Sequence, residues 1–407
     1  MRKGLIISFT IAFIATSLLC CKQQLAKKSA VLTDIPDTTG MTTQLLYIGT
    51  YTEKESHVAG KATGIYIYEL DMTTGALNYI GISPATTNPS YIDISPEGNW
   101  LYAVNETGSN EAGSSGSVSA FRLINHGKGL EFINKVSSAG NYPCYIQVDK
   151  TGKYVMAANY GSGTVALFTI ETNGKLGNAV SVDQHIGKGP TARQEAAHAH
   201  MIMVSRNNRF AYSCDLGTDR IYIYRLDTDN GKLIPEGNDH ISRPGSGPRH
   251  LALHPIKSFA YVVNELNGTI ACMKIDTLTG ALARFQTIST LAEGNGYEAS
   301  CADIHITPSG NYLYASNRGQ FNNIAMYSIN SNTGELTLIG HQSVKGKTPR
   351  NFIIDRTGSY LLIANQDSDN VVTFRIDQET GKLIDIGVEV SVPTPVCLKF
   401  LPGKHYN

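Results

Sequence analysis

An internal repeat runs through most of this chain and constrains its fold more than any other feature. Six segments share one frame, in which alternating apolar residues, a short turn and a second apolar run lead to an Asn or Asp. The copies align without gaps on that polar residue, which is Asn105, Asn159, Asp215, Asn264, Asn317 or Asn365. Their spacing of about 50 residues is typical of the blades of a β-propeller, each of which is one small antiparallel sheet.

Each repeat contains four predicted strands. The first two flank the short turn, and a third follows the Asn or Asp, as in the apolar run 269–275. A turn with the pattern Asp-x-x-Thr-Gly-x-Leu then leads into the fourth strand, as at 276–282. Its glycine can adopt the positive φ that such a hairpin needs. Because helical periodicity is absent, the chain is predicted to be all-β.

The two ends of the repeat region supply the blade count. Residues 45–82 hold only three predicted strands, and residues 395–400 form an isolated first strand. Pairing of these segments completes a seventh blade and leaves no open sheet edge in the ring. The predicted fold is therefore a seven-bladed β-propeller of four-stranded antiparallel blades, closed by pairing of the C-terminal strand with the first blade.

The first residues resemble an export signal. Residues 1–3 include two basic side chains, residues 5–19 are apolar but too few to span a bilayer, and Cys20 and Cys21 follow. The pattern is similar to a bacterial lipoprotein signal with Cys21 lipidated, although lipidation of Cys20, an ordinary cleaved signal or a retained anchor are alternatives.

The domain boundaries follow from that pattern. We expect a signal at 1–21, a flexible tether at 22–43 and the propeller at 44–407. The protein would then be exported to the periplasm or cell envelope and contact the membrane only through its lipid anchor. If the signal is misassigned, the protein would be cytoplasmic.

Charge and cysteine content exclude several classes of protein. The 34 Lys and Arg residues balance 34 Asp and Glu residues, which argues against a nucleic-acid partner because phosphate affinity comes from a basic surface. Beyond the N-terminal pair, five cysteines remain, an odd number without any Cys-x-x-Cys spacing. Neither a disulfide framework nor a zinc site is predicted, and these cysteines are expected to be buried in strands.

Antiparallel geometry places two positions of every repeat at one mouth of the central channel. The residue after the repeat's proline begins the innermost strand, and the residue after the Asn or Asp ends the next strand, so hairpin pairing brings them together. The first position is occupied by Ser90, Cys144, His200, Arg249, Ala302, Arg350 and Val396. The second position is occupied by Glu106, Tyr160, Leu216, Glu265, Arg318 and Gln366. Strand alternation also predicts that His198 faces the same side as His200 and that His250 points away.

This mouth has the residues for anion binding and proton transfer. Its three arginines favour a phosphate or carboxylate ligand, which guanidinium groups bind bidentately. His200 and Glu265 add acid–base capacity near neutral pH. His198 and His200 lack a third ligand at a fixed spacing, so no metal is predicted, and the absence of nucleotide-binding motifs predicts no cofactor. The alternative is that Glu265 or Arg249 is only one half of a buried structural salt bridge between blades.

Several motifs resemble a known family. They are Arg193-Gln194-Glu195 with His198-Ala199-His200, and the segments 215–220, 247–250, 264–266, 316–319 and 349–352. Together they are similar to the seven-bladed propeller lactonases, which include propeller-type 6-phosphogluconolactonases and 3-carboxy-cis,cis-muconate lactonizing enzymes. The resemblance covers nearly everything after residue 45 and implies a metal-free site. It also implies that the family's active-site His, Arg, Glu and Arg are His200, Arg249, Glu265 and Arg318.

Register and resemblance together predict a metal-independent lactonase that hydrolyses an anionic sugar lactone, as a 6-phosphogluconolactonase does. In that quartet the histidine would activate water, the arginines would hold the anion and stabilise the oxyanion, and the glutamate would orient the histidine or share proton transfer. The further residues expected to contact the substrate are His198, Arg350 and Glu106. Two alternatives stay open, namely a cycloisomerase that lactonises an unsaturated dicarboxylate and a non-catalytic binding propeller of the cell envelope.

Overall fold

A computed structural model describes residues 40, 42–55, 57–108, 116–292 and 298–403. Within these ranges the strands form seven antiparallel blade sheets and one separate two-stranded sheet, and the inner strands of neighbouring blades contact each other around a ring. The all-β, seven-bladed propeller predicted from the repeats is confirmed.

The strands are numbered in chain order, and each blade runs outward from an inner strand. Blade 1 contains β1 (Thr43–Thr50), the hairpin β2 (Lys54–Glu55) and β3 (Val58–Ala59), β4 (Tyr66–Asp71) and β5 (Leu77–Ile82). Blades 2 and 3 contain β6 (Ile92–Ile94), β7 (Trp100–Asn105), β8 (Ser117–Ile124), β9 (Gly129–Ser137), β10 (Pro143–Val148), β11 (Tyr154–Asn159), β12 (Thr164–Ile170) and β13 (Leu176–Gln184). Blades 4 and 5 contain β14 (Ala199–Val204), β15 (Phe210–Asp215), β16 (Arg220–Asp227), β17 (Lys232–Pro235), β18 (His240–Ile241), β19 (Pro248–Leu253), β20 (Phe259–Asn264), β21 (Thr269–Ile275) and β22 (Leu282–Ser289). Blades 6 and 7 contain β23 (Cys301–Ile306), β24 (Tyr312–Asn317), β25 (Asn323–Ile329), β26 (Leu336–Ser343), β27 (Pro349–Ile354), β28 (Tyr360–Asn365), β29 (Asn370–Ile376) and β30 (Leu383–Ser391), and β31 (Pro395–Phe400) follows them. Two short 3-10 helices occupy Asn125–Gly127 and Gln366–Ser368.

The ring closes as predicted, because β31 becomes the inner strand of blade 1. It pairs antiparallel with β1, with Leu46 opposite Phe400 and Ile48 opposite Leu398. Leu46 and Leu398 are buried in one apolar cluster with Leu362 of blade 7. Closure therefore combines backbone hydrogen bonds with burial of apolar area between the first and last blades.

The outer turns also join neighbouring blades. In the turn 71–77, the Asp71 carboxylate accepts hydrogen bonds from the backbone N–H groups of Thr73 and Thr74, and Gly75 adopts a φ of 77°. A Cβ at Gly75 would lie 2.8 Å from the Tyr360 ring of blade 7, so this turn requires glycine for its conformation and for its packing.

The repeated asparagines have a structural role. The side-chain amides of four of them donate to backbone carbonyls that follow the outer strand of the preceding blade, whereas that of Asn264 donates to a threonine hydroxyl in its own blade. Asn159 bonds Ser138 O at 3.0 Å, and Asn365 bonds Val344 O at 3.0 Å. Each such bond ties an inner hairpin to the neighbouring blade.

The N-terminal predictions lie outside the described residues. These are the signal at 1–21 with Cys20 and Cys21, and most of the tether at 22–43. The other five cysteines are unpaired and buried in strands, which confirms that prediction. No helix in the described part of the chain is both long and apolar enough to cross a membrane.

Loss of apolar packing at the closure should destabilise the whole ring. We expect Leu398→Ala to lower the free energy of unfolding by about 2–5 kcal/mol, since Leu398 is buried between blades 1 and 7. Urea denaturation of the purified protein measures this change. Leu278→Ala is the matched control, because Leu278 is 76% exposed and its truncation should cost less than about 0.5 kcal/mol. Equal effects of the two substitutions would contradict a closure held by β31.

Candidate active site

The inner strands carry a β-bulge at the position that follows the repeat's proline. In β14 the pairing with β15 skips His200, which lies between Ala199 and Met201. A bulge interrupts the regular alternation of a strand and re-aims the side chain of the extra residue. The residues skipped at the same place are Cys144 in β10, Arg249 in β19 and Arg350 in β27.

These bulges border a cavity of about 490 Å³ on the ring axis, to which all seven blades contribute. Most of the predicted site residues meet there. The predicted residues that line this cavity are His200, Arg249, Glu265, Arg318, Arg350 and Glu106.

Glu265 is the centre of the largest charge cluster. Its Oε1 lies 3.0 Å from Nη2 of Arg193, and its Oε2 lies 2.9 Å from Nε of Arg249 and 3.0 Å from Nη2 of Arg318. Burial raises the pKa of this carboxyl, but the three guanidiniums outweigh burial and lower the pKa to about 2. Glu265 is therefore an anion at neutral pH, better placed to hold arginines together than to exchange protons.

His200 is a buried, neutral imidazole at the cavity wall. Burial lowers its pKa well below the ordinary value of 6.5, and the positive charges of Arg249 and Arg350 lower the pKa further. Its Nδ1 lies 3.7 Å from Sγ of Cys144. Burial raises the pKa of the Cys144 thiol, so Cys144 is not a thiolate nucleophile at neutral pH. His200 can accept a proton from a group bound in the cavity.

The opposite wall is built around Glu106 and Arg350. Ser90 Oγ donates a hydrogen bond to Glu106 Oε2. Among the described residues, Arg350 makes only long polar contacts, with Nη2 3.9 Å from Glu106 Oε1 and Nη1 3.5 Å from Gln366 Oε1. Its guanidinium also lies 5.5 Å above the Tyr51 ring. Arg350 is thus less tightly paired than Arg249 or Arg318 and is free to bind an anion.

The structure places His198 behind this cavity and not in its wall. Its ring stacks on Tyr160, with centroids 4.4 Å apart, and its Nδ1 lies 3.0 Å from the Tyr160 carbonyl oxygen. Strand β14 begins only at Ala199, so the alternation that placed His198 beside His200 does not extend to it. His198 supports Tyr160, which does line the cavity.

Sequence reasoning missed His57 and Arg193 as cavity residues. His57 follows β2 in a hairpin that has no counterpart in the repeats, so no signal pointed to it. Arg193 lies in the loop before β14, within a motif that carried the family resemblance but without a role assigned. Its side chain is 56% exposed and bonds Glu265 at the cavity rim.

A second, smaller cavity of about 10 Å³ adjoins the first and shares His200 and Arg249 with it. It also includes His250, so the prediction that His250 points away is wrong. The bulge at Arg249 is the reason, because it breaks the alternation between that residue and the next. The volume is enough for about one water molecule, and the walls are polar.

Metal ligation was not expected. Within the described ranges, no group of three or more His, Cys, Asp or Glu side chains is placed to hold a metal ion. Metal independence stays a prediction.

Fold and cavity agree with comparisons to known proteins. A family model described as "Lactonase, 7-bladed beta-propeller" matches residues 45–400. The chain belongs to this lactonase family. It is 34% identical to a 6-phosphogluconolactonase of Bacillus subtilis (strain 168) over 89% of this chain and 99% of that one. It is 33% identical to a 6-phosphogluconolactonase of Formosa agariphila, over 88% of this chain and all of that one.

Solved structures include the periplasmic gluconolactonase PpgL of Pseudomonas aeruginosa. It superposes on this chain with a TM-score of 0.82 at 28% identity, covering 88% of this chain and 99% of the other. The blade arrangement is therefore shared along nearly the whole of both chains.

Removal of the Glu265 charge should destabilise the fold and change its acid response. Glu265→Gln leaves three clustered guanidiniums without their anion, which we expect to cost about 3–5 kcal/mol. Because the folded pKa of about 2 lies below the ordinary 4.5, Glu265 contributes stability above about pH 4.5 that is lost as the pH falls towards 2. Denaturant unfolding at pH 7 and at steps down to pH 3 measures both effects, and the variant should lose less stability over that range.

The matched control for this experiment is Glu131→Gln. Glu131 is exposed and lies 3.7 Å from Arg122, so its loss should cost less than about 1 kcal/mol. If Glu265→Gln behaved like the control, Glu265 would not be the charge that holds the arginines.

Proposed function

We propose that this protein hydrolyses an anionic sugar lactone, without a metal or other cofactor. One observation carries the proposal: neutral His200 and the guanidiniums of Arg249, Arg318 and Arg350 line the same cavity. A proton acceptor beside fixed positive charge is what ester hydrolysis needs, since water must be deprotonated as negative charge develops on the carbonyl oxygen.

The reaction would proceed by attack of water on the lactone carbonyl. The water oxygen forms a bond to the carbonyl carbon while His200 takes a proton from the water. The ring C–O ester bond then breaks, and the proton passes to the departing ring oxygen, which becomes the hydroxyl of the open sugar acid. The small cavity next to His200 has space for about one water molecule and supports this order of events.

The arginines would divide two tasks. Arg249 and Arg318 are held by Glu265 and by backbone carbonyls, Arg249 by Ala302 O and Arg318 by Cys301 O, so their orientation does not depend on a ligand. Such fixed donors suit the oxyanion, because preorganised charge needs little rearrangement during the reaction. Arg350, with its long contacts to Glu106 and Gln366, would bind the anionic group of the substrate.

The charge balance favours a small-molecule site over a scaffold. Among the described residues, four guanidiniums line the cavity against three carboxylates, Glu106, Glu265 and Asp367, so these carboxylates do not fully neutralise the arginines. The size and charge of the cavity suit a phosphorylated or carboxylated sugar ring. Similarity to the 6-phosphogluconolactonases of two bacteria supports the reaction class.

Export of the protein is part of the proposal. The basic and apolar start of the chain, and the similarity to a periplasmic gluconolactonase, both support a location outside the cytoplasm. There the substrate would be a sugar lactone available in the periplasm, with Cys21 as the site of lipid attachment.

Loss of the proton acceptor should abolish most of the activity. We expect His200→Ala to lower kcat/KM about 10²-fold to 10⁴-fold for 6-phosphoglucono- or glucono-δ-lactone hydrolysis. Titration of the acid released by each lactone, corrected for spontaneous hydrolysis, measures the rate. His126→Ala is the control, because His126 is exposed on a turn outside the cavity and should keep wild-type activity.

Other outcomes of the same assay contradict parts of the proposal. A folded His200→Ala variant with wild-type activity would remove His200 from the mechanism. A wild-type protein that lactonises an unsaturated dicarboxylate but hydrolyses neither lactone would be a cycloisomerase. A protein that binds glycans or proteins without turnover would be a scaffold.

The anion-binding role of Arg350 predicts a change in substrate preference. Arg350→Ala should raise KM about 10-fold to 100-fold for the phosphorylated lactone, the effect of losing one charged hydrogen bond, with little change for neutral glucono-δ-lactone. Arg375→Ala, at an exposed position of β29, is the control for general loss of positive charge. Equal KM changes for both lactones would assign Arg350 another role.

A further inference from the structure

Arg249 is buried, and two of its three side-chain nitrogens contact other residues of the protein. Its Nη1 donates to Ala302 O and lies 3.4 Å from Nε2 of His250, and its Nε lies 2.9 Å from Glu265 Oε2. Among the described residues, its Nη2 has no hydrogen-bond partner, and the side chain lines both cavities. The contacts of Nη1 and the ion pair with Glu265 restrain the guanidinium, although Nε has no hydrogen-bond partner among the described residues, and Nη2 is left for a ligand.

His250 has two ring nitrogens with opposite roles, and its neighbours determine both. Its Nδ1 lies 2.7 Å from Asp303 Oδ1. Burial raises the pKa of this carboxyl, but the adjacent His305 and His250 outweigh burial and lower it, so Asp303 is an anion that can only accept. Nδ1 must then carry the proton. Burial and Arg249 lower the pKa of His250 to about 4, so at neutral pH its Nε2 is unprotonated and accepts from Arg249.

Asp303 is itself held in one orientation. It is buried, and it accepts hydrogen bonds from the Ile304 backbone N–H, from Asn351 Nδ2 and from His305 Nε2. A carboxylate fixed in this way selects one tautomer of the histidine it bonds. The fixed Asp303 carboxylate therefore contacts the His250 imidazole, which in turn contacts the Arg249 guanidinium at the cavity.

We propose that Asp303 and His250 are positioning residues that orient Arg249 for stabilisation of the reacting oxyanion. The inference rests on the lactonase function proposed above. Without the acceptor at His250 Nε2, the guanidinium can rotate about its remaining contacts, and Nη2 no longer meets the oxyanion at the required distance. A misplacement of about 1 Å at a catalytic group can cost about 10²-fold in rate.

Two substitutions at one position separate this role from a merely structural one. His250→Gln places an amide oxygen where Nε2 stood, so it keeps an acceptor for Arg249 but loses the bond to Asp303. His250→Asn places an amide N–H where Nδ1 stood, so it keeps the bond to Asp303 but loses the acceptor for Arg249. We expect kcat to fall about 10²-fold in His250→Asn and less than about 10-fold in His250→Gln. KM should change little in either variant, because the bound anion is held by Arg350.

His341→Asn is the matched control. It removes a half-buried histidine of β26 whose Nε2 lies 2.8 Å from Thr290 O, and none of its contacts among the described residues is with Asp303 or Arg249. We expect its kcat to stay within about 3-fold of wild type, an effect well below that of a displaced catalytic group. Melting temperatures of all three variants show whether each protein is folded. If His250→Asn is as active as His250→Gln, or if kcat follows the melting temperature across the three variants, the positioning role is overturned.

A readout without substrate keeps this test distinct from the lactonase assay. Exchange of the Arg249 guanidinium N–H protons with solvent can be followed by ¹⁵N NMR, and the signals can be assigned with Arg249→Lys. We expect this exchange to be slow in the wild type and in His250→Gln, and fast in His250→Asn. If the wild type hydrolyses no lactone but the NMR pattern holds, the proposed function fails and the positioning of Arg249 stands. If exchange is the same in both variants, the positioning fails whatever the activity.

Discussion

Closure of the ring by β31 is the constraint on which the rest of this structure depends. The cavity is lined by side chains from seven blades, and no single blade holds more than a few of them. Their distances are set by the contacts between inner strands, and those contacts are continuous only when β31 pairs with β1. A propeller with an open seam could spread, and guanidiniums that now share one carboxylate would move apart. The site is therefore a property of the closed ring, in which Asn amides and glycine turns also join neighbouring blades.

Within that ring, Glu265 makes the concentration of positive charge possible. Arg193, Arg249 and Arg318 come from different parts of the chain, and bare guanidiniums so close together would repel one another. One buried carboxylate lies within 3.0 Å of all three, and their combined attraction exceeds the cost of burying it. The cluster keeps a positive excess while its members stay fixed. These salt bridges are compatible with a part for Glu265 in the proposed reaction, because they hold the arginines in position.

The repeats made the fold and much of the site predictable, because register relates every blade to the others. The residues that follow the repeat's proline and its asparagine were predicted to lie at one mouth of the channel. Six of them line the cavity, namely His200, Arg249, Glu265, Arg318, Arg350 and Glu106. The failures have physical causes. His198 lies before its strand begins, and His250 follows a bulge that breaks strict alternation. His57 lies on a hairpin absent from the other blades, where register carries no information. The bulge itself depends on backbone pairing that residue types do not reveal.

The same geometry bears on the direction of the reaction. Hydrolysis and lactonisation both develop negative charge on the carbonyl oxygen in the transition state. The arginines would stabilise that charge in either reaction and so do not distinguish the two. Hydrolysis additionally needs a place for water next to the proton acceptor. The small cavity between His200 and His250 provides one, and its polar walls suit water better than an apolar part of a substrate. In the proposed mechanism the arginines thus select for charge on the ligand, while the space beside the two histidines favours water as the nucleophile.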